Sequence, residues 1–150
     1  MSSSNRELIN AIFNELKNNE TLSAYVKNIS IANVGVSQKI FPFVTIANAP
    51  YNINPASACA DFFTYNVEIL AGTFCMVPNT AYQGSDVNGR EGILQLARDV
   101  ESAVRNKTFG NRLMKPVSET AVRIFQRKDR SGMLWNAVVS FPCVRWQNRP

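Results

Sequence analysis

Phe63-Thr64-Tyr65-Asn66-Val67-Glu68-Ile69-Leu70-Ala71 decides the fold. Phe63, Tyr65, Val67, Ile69 and Ala71 recur at every second position, with Thr64, Asn66 and Glu68 between them, the period of a strand with one buried face. Upstream, Ile40-Phe-Pro-Phe-Val-Thr-Ile46 is a shorter apolar strand. Pro42 cannot donate to a ladder and belongs at its start or on an edge, so this strand is expected to pair with the one from Phe62. Ile29-Ser-Ile-Ala is a weaker strand for the sheet's edge. Downstream, Thr120–Arg127 and Met133–Phe141 flank Lys128-Asp-Arg-Ser-Gly132, a turn that closes a hairpin.

Two helices frame these strands. Ser4 and Glu7 form a capping box, after which Leu8, Ile9, Ile12, Phe13 and Leu16 fall on one stripe. Thr21 to Val26 is expected to add a further short turn of helix. Asn88-x-x-Glu91 repeats the capping signal, and Ile93, Leu96, Ala97, Val100 and Val104 follow at helical spacing, so the second helix is expected over about 88–106, ended by Arg105, Lys107 and Gly110. Strands grouped between helices, rather than alternating with them, predict an α+β fold: a mainly antiparallel β-sheet with two principal α-helices packed on one face. Ala47–Asp61 and Cys75–Asp86, rich in Pro, Asn and Gly, read as two long loops, either hairpin tips or contacts with another chain.

The size agrees with one domain over 1–150. A chain of 150 residues with 45% apolar side chains hides roughly 68–70% of its unfolded surface, enough for a core without staples. Cys59, Cys75 and Cys143 are odd in number and form no C-x-x-C pair; with no secretory apolar run at the N-terminus, reduced thiols and an intracellular setting are expected. No stretch of 18 consecutive apolar residues is present, so no membrane span is expected.

Charge is uneven along the chain. Between Lys39 and Arg90 the charged residues are Asp61, Glu68 and Asp86, a balance of −3, whereas from Arg105 onward ten cations face two acids, a balance of +8. Arg123, Arg127, Lys128 and Arg130 gather near the tip of the C-terminal hairpin. Three readings of this cluster stand: a solvated hairpin end, pairing with the acidic middle (Asp61, Glu68, Asp86) of an identical neighbour, or contact with nucleic-acid phosphate. Phe125 and Trp135 are at strand spacing and read as sheet-face residues rather than base-stacking platforms.

Chemistry is thin. Histidine is absent, which removes the usual general base and the commonest metal ligand. No nucleophile elbow, phosphate loop or dinucleotide fingerprint occurs. Gly84, Gly89 and Gly92 precede the second helix without a following Lys. No catalytic residue, metal site or cofactor is therefore assigned, and an enzyme is not expected.

The order of features resembles the tail terminator and tail completion proteins of tailed bacteriophages. The resemblance rests on Glu7-Leu-Ile-Asn-Ala-Ile-Phe-Asn-Glu-Leu16, then Leu22-Ser-Ala-Tyr-Val26, then Ile40–Ile46, with Tyr65–Ala71 in the place of the family's central strand, Gly92–Val104 in that of its second helix and Ile124–Trp146 in that of its closing hairpin. It implies a structural virion protein: subunits, six in the usual case, ring the head-proximal end of the tail tube, stop its growth and present a surface for head–tail joining. The implied partners are further copies of the chain, the tube protein, the head connector or stopper, and genomic DNA passing through the lumen without sequence reading. The implied location is the neck of the virion, with the host cytoplasm during assembly. Arg123, Arg127, Lys128 and Arg130 would then line a subunit interface or the lumen. A head–tail stopper or adaptor of the same neck, and a nucleic-acid-binding module without sequence specificity, are the alternatives.

Overall fold

The structure is a computed structural model and describes residues 4–32, 41–75, 82, 92–110, 112–129 and 132–148. Helix α1 (Ser4–Lys17) starts where the capping signal predicts, and its stripe is the buried one: Leu8, Ile12 and Leu16 are fully enclosed, and Ile9 and Phe13 pack partly against them. Helix α2 (Glu20–Ser23) is the expected extra turn, capped by Asn19, whose side chain accepts from the Leu22 amide at 3.0 Å. Strands β1 (Asn28–Ile31), β2 (Phe43–Asn48), β3 (Tyr51–Pro55) and β4 (Ala60–Cys75) follow, then α3 (Ile93–Val104), β5 (Ala121–Asp129) and β6 (Gly132–Asn148).

One six-stranded sheet results, ordered β1-β2-β4-β6-β5 with β3 on β4 beyond the end of β2. Only the β1–β2 pair is parallel, so the sheet is mostly antiparallel and the α+β expectation holds. Register sets one face against the helices. Ile46 sits opposite Ile69, and Ile69 opposite Val139; Val44 opposite Ala71, and Ala71 opposite Ala137. These rows, with Tyr65, Val67, Phe141 and Cys143, form a continuous core with Leu96, Ala97 and Val100 of α3 and the stripe of α1. Each large aliphatic side chain so enclosed contributes about 1.5–3 kcal/mol. Tyr65, buried like Phe141, donates its hydroxyl to Asn5 and so ties the first turn of α1 to β4. Tyr25 donates to Asp99 Oδ2 at 2.5 Å, fixing the chain after α2 to α3.

Four expectations change. The segment expected as a loop over Ala47–Asp61 contains β3, an edge strand whose five residues are all exposed and which backbone pairing to β4 holds in place. Helix α3 begins at Ile93 after an extended Gly92 with no side-chain cap, not at the Asn88 box; Asn88 and Glu91 lie outside the described residues. Its left-handed terminating residue is Asn106 (φ 63°), while Gly110 (φ 74°) serves the following loop, closed by Asn106 N–H to the Val117 carbonyl at 2.8 Å and Val117 N–H to the Lys107 carbonyl at 3.0 Å. The hairpin is longer and tighter than expected: Asp129 pairs with Gly132, and β6 continues through Pro142 to Asn148. Of the second expected loop, Cys75 closes β4 and residues 76–81 and 83–86 lie outside the described ones.

Candidate functional site

β4 and β6 stay paired over sixteen positions, from Ala60–Asn148 to Cys75–Met133. Their partners do not extend as far. β2 covers β4 over 68–72 and β3 covers it over 61–65, while β5 covers β6 only over 132–140. The lower part of the ribbon, with β3 beside it, is therefore an arm running past the ends of β2 and β5, its Tyr65 and Cys143 still part of the core.

Backbone polarity along the edges follows from a few bonds. Asn66 N–H donates to the Pro50 carbonyl at 2.8 Å and Ala56 N–H to the Ala60 carbonyl at 3.1 Å. Antiparallel alternation then turns Asn52 and Asn54 toward β4 and leaves the N–H and C=O of Tyr51 and Ile53 pointing outward. On the far side, Met114 N–H donates to the Val144 carbonyl at 2.9 Å, so the even-numbered residues of β6 face the β5 side. Within β5 it is then Arg123 and Phe125 that bond to β6, while Val122 and Ile124 present their backbone groups outward. Among the described residues no strand pairs with either outer edge. Side chains match this polarity: Tyr51 is 46%, Ile53 51% and Val122 45% exposed. Tyr51 leans on Phe63 and Tyr65, with ring centroids 5.7 and 5.4 Å away.

The reverse face of the arm carries Phe62 edge-on to the exposed Trp146, centroids 5.4 Å apart. A shallow groove of about 450 Å³ lies there, lined by Asn54, Phe62, Thr64, Met114, Lys115 and Val144. Its single charge is Lys115.

The charged residues distribute as follows. Arg123 is exposed on β5 with its guanidinium over the Phe125 ring at 5.5 Å. Arg127 and Lys128 occupy the last turnward positions of β5, opposite Leu134 and Met133, and Arg130 lies outside the described residues. Asp61 is in β4 opposite Gln147, Glu68 is in β4 opposite Ser140, and Asp86 lies outside the described residues. Glu68 and Arg123 thus share the sheet face away from the helices, on strands separated by β6, and no ion pair joins them. Ion pairs elsewhere among the described residues include Arg105 with Glu101, and Lys107 Nζ with Glu15 at 3.1 Å. Phe125 and Trp135 are half-buried, Trp135 against Tyr82 at 4.7 Å.

Among the described residues, no three His, Cys, Asp or Glu side chains are grouped to hold a metal, and no helix is long and apolar enough to cross a membrane. Cys59 is exposed in the β3–β4 turn. Cys143 is buried in β6, where burial pushes its thiol up to about 12. Such a thiol is a core side chain, not a nucleophile.

No protein-family model matches the sequence, and no curated protein matches it. Among solved structures, the chain is similar to one from the virion of a native gene transfer agent (GTA) particle. The TM-score is 0.61 over 97% of this chain and 99% of that one, at 13% identity. The two share a fold from end to end.

Proposed function

We propose that this chain is a structural protein of a phage-like virion, acting without catalysis as the ring-forming tail terminator at the head-proximal end of a tail. The observation that carries the reading is the fold held in common, along almost the whole of both chains, with a chain of a gene transfer agent virion. The order of helix, proline-led strand, central strand, second helix and closing hairpin supports the narrower role. In that role copies close into a ring, six being the expected number. One surface meets the tube protein, another the head connector or stopper, and DNA crosses the bore through contacts that ignore sequence. Assembly takes place in the host cytoplasm and the finished ring sits in the neck.

Negative-stain imaging and light scattering of the purified protein, alone and added to isolated tail tubes, test this. Rings in solution or on tube ends are expected. In particles lacking the protein, unattached overlong tails mark a terminator, whereas filled heads that leak DNA would reassign it as a stopper. A protein that stays monomeric and leaves tube ends bare would overturn the proposal.

A further inference from the structure

We infer that copies of this chain join by strand addition, the outer edge of β3 in one copy pairing antiparallel with the outer edge of β5 in the next. The inference rests on the ring reading for the occupant of these edges and supplies its interface.

An open edge strand is a template for another strand, and proteins that must stay apart blunt it with charge, bulges or cover. Over Tyr51–Asn54, before Pro55 ends the strand, β3 has no charged residue, all four residues are exposed, outward backbone groups stand at Tyr51 and Ile53, and among the described residues no strand covers them. β5 presents the matching half. Its outward groups belong to Val122 and Ile124, two positions apart as in β3, so Tyr51 meets Ile124 and Ile53 meets Val122 as hydrogen-bonded pairs. Side-chain direction agrees. Tyr51 and Ile53 lie on the helix side of the sheet through their register with Tyr65 and Phe63, and Val122 and Ile124 lie on the same side through Val139 and Ala137. One continuous sheet across the seam therefore puts all four apolar side chains together on one face.

The opposite face places Asn52 against Arg123, an amide oxygen against a guanidinium. Charge runs the same way. β5 carries Arg123, Arg127 and Lys128 against one acid, Asp129, whereas β3 carries no charge and has Asp61 of β4 opposite Pro55, with Glu68 further along β4 opposite Asn48 of β2. A second copy fits the edge better than an unlike chain because each copy owns both complementary halves, and two unlike patches on one chain build head-to-tail closure rather than a pair.

Proline tests the edge without touching the internal ladder. Ile53→Pro and Ile124→Pro each remove an outward N–H, whereas the bonds to β4 and β6 use their neighbours. Both variants are expected to keep the wild-type circular dichroism and melt cooperatively while losing ring formation. In a Cys59→Ser background, Asn52→Cys protein mixed with Arg123→Cys protein is expected to give a disulfide dimer on mild oxidation of assembled rings, with neither variant doing so alone. If wild-type rings form, and folded proline variants form them equally or the mixed pair does not cross-link, strand addition is refuted while the ring reading stands. If wild-type protein never self-associates, even on tube ends, both fall.

Discussion

Replacing Gly72 with alanine sets two known effects against each other. Gly72 lies opposite Phe43 in the β2–β4 ladder and is buried. Its φ is not left-handed, so alanine meets no backbone strain, and the smaller entropy of the unfolded alanine chain alone would stabilise by about 0.4–1 kcal/mol. Space decides otherwise. A Cβ there falls 2.6 Å from Phe43 Cζ, closer still to Cε1, and 2.9 Å from Asn136 Oδ1. The Phe43 ring is 3% exposed, and Phe41 packs against it with centroids 5.5 Å apart, so it has no free direction of retreat. Overpacking of this kind costs about 1–3 kcal/mol. The two ranges leave a net loss of about 0–2.6 kcal/mol, a fall in Tm of up to about 10 °C for a chain of this size. Thermal unfolding followed by circular dichroism reads it directly. Because the cost is a collision with one ring, Gly72→Ala combined with Phe43→Leu should be less destabilised than the sum of the single changes by about 1 kcal/mol. A Gly72→Ala protein more stable than wild type, or strict additivity in the double variant, would refute the argument.

Other outcomes follow from features already described. Tyr25→Phe removes a hydrogen bond to the Asp99 carboxylate and should cost about 1.5–3 kcal/mol, measured by denaturant unfolding. Iodoacetamide at pH 8 on folded protein should label Cys59 and spare Cys143, with labelling of Cys143 by mass spectrometry appearing only when the protein unfolds. Cys143 also gives stability a pH dependence: its thiol titrates higher in the folded state, at about 12 against 9.0, so the unfolded state holds fewer protons above pH 9. Stability should therefore fall as pH rises from 9 toward 12, and more steeply in wild type than in Cys143→Ala; equal slopes in the two proteins would contradict the burial argument. Leu96→Ala in α3 should cost about 2–5 kcal/mol by emptying a fully enclosed position.

Periodicity carried most of the architecture. The stripe of α1, the alternation of β4 and the two arms of the hairpin were legible because each buries one face, and burial imprints its period on the side chains. β3 was not legible for the converse reason. None of Tyr51, Asn52, Ile53, Asn54 and Pro55 is buried; backbone bonds to β4 make this strand, and Pro50 before it and Pro55 at its end mimic a loop. Pro142 hid the length of β6 in a similar way. It sits where its missing N–H points past the end of β5, so the strand runs through it at no loss of a ladder bond. The charged candidates form two separate groups along the sequence, yet Glu68 and Arg123 share a face two strands apart, a relation fixed by register rather than by sequence distance. The edges of β3 and β5 leave no mark in the sequence, because their signal lies in which backbone groups point outward, and no side-chain pattern encodes that for an exposed strand.

The sixteen-residue pairing of β4 with β6 governs how this molecule can change length. Adding or deleting one residue inside either strand would turn every later side chain to the wrong surface, exchanging Val67, Ile69 and Ala71 for Glu68, Leu70 and Gly72 in the interior. Individual side chains can drift far while the count between the ribbon's ends stays fixed. Tolerated insertions should accordingly collect at the Ala56–Cys59 bend and outside the ladder, and a scan of single-residue insertions along the gene would draw the ribbon's outline as a block of lost folding.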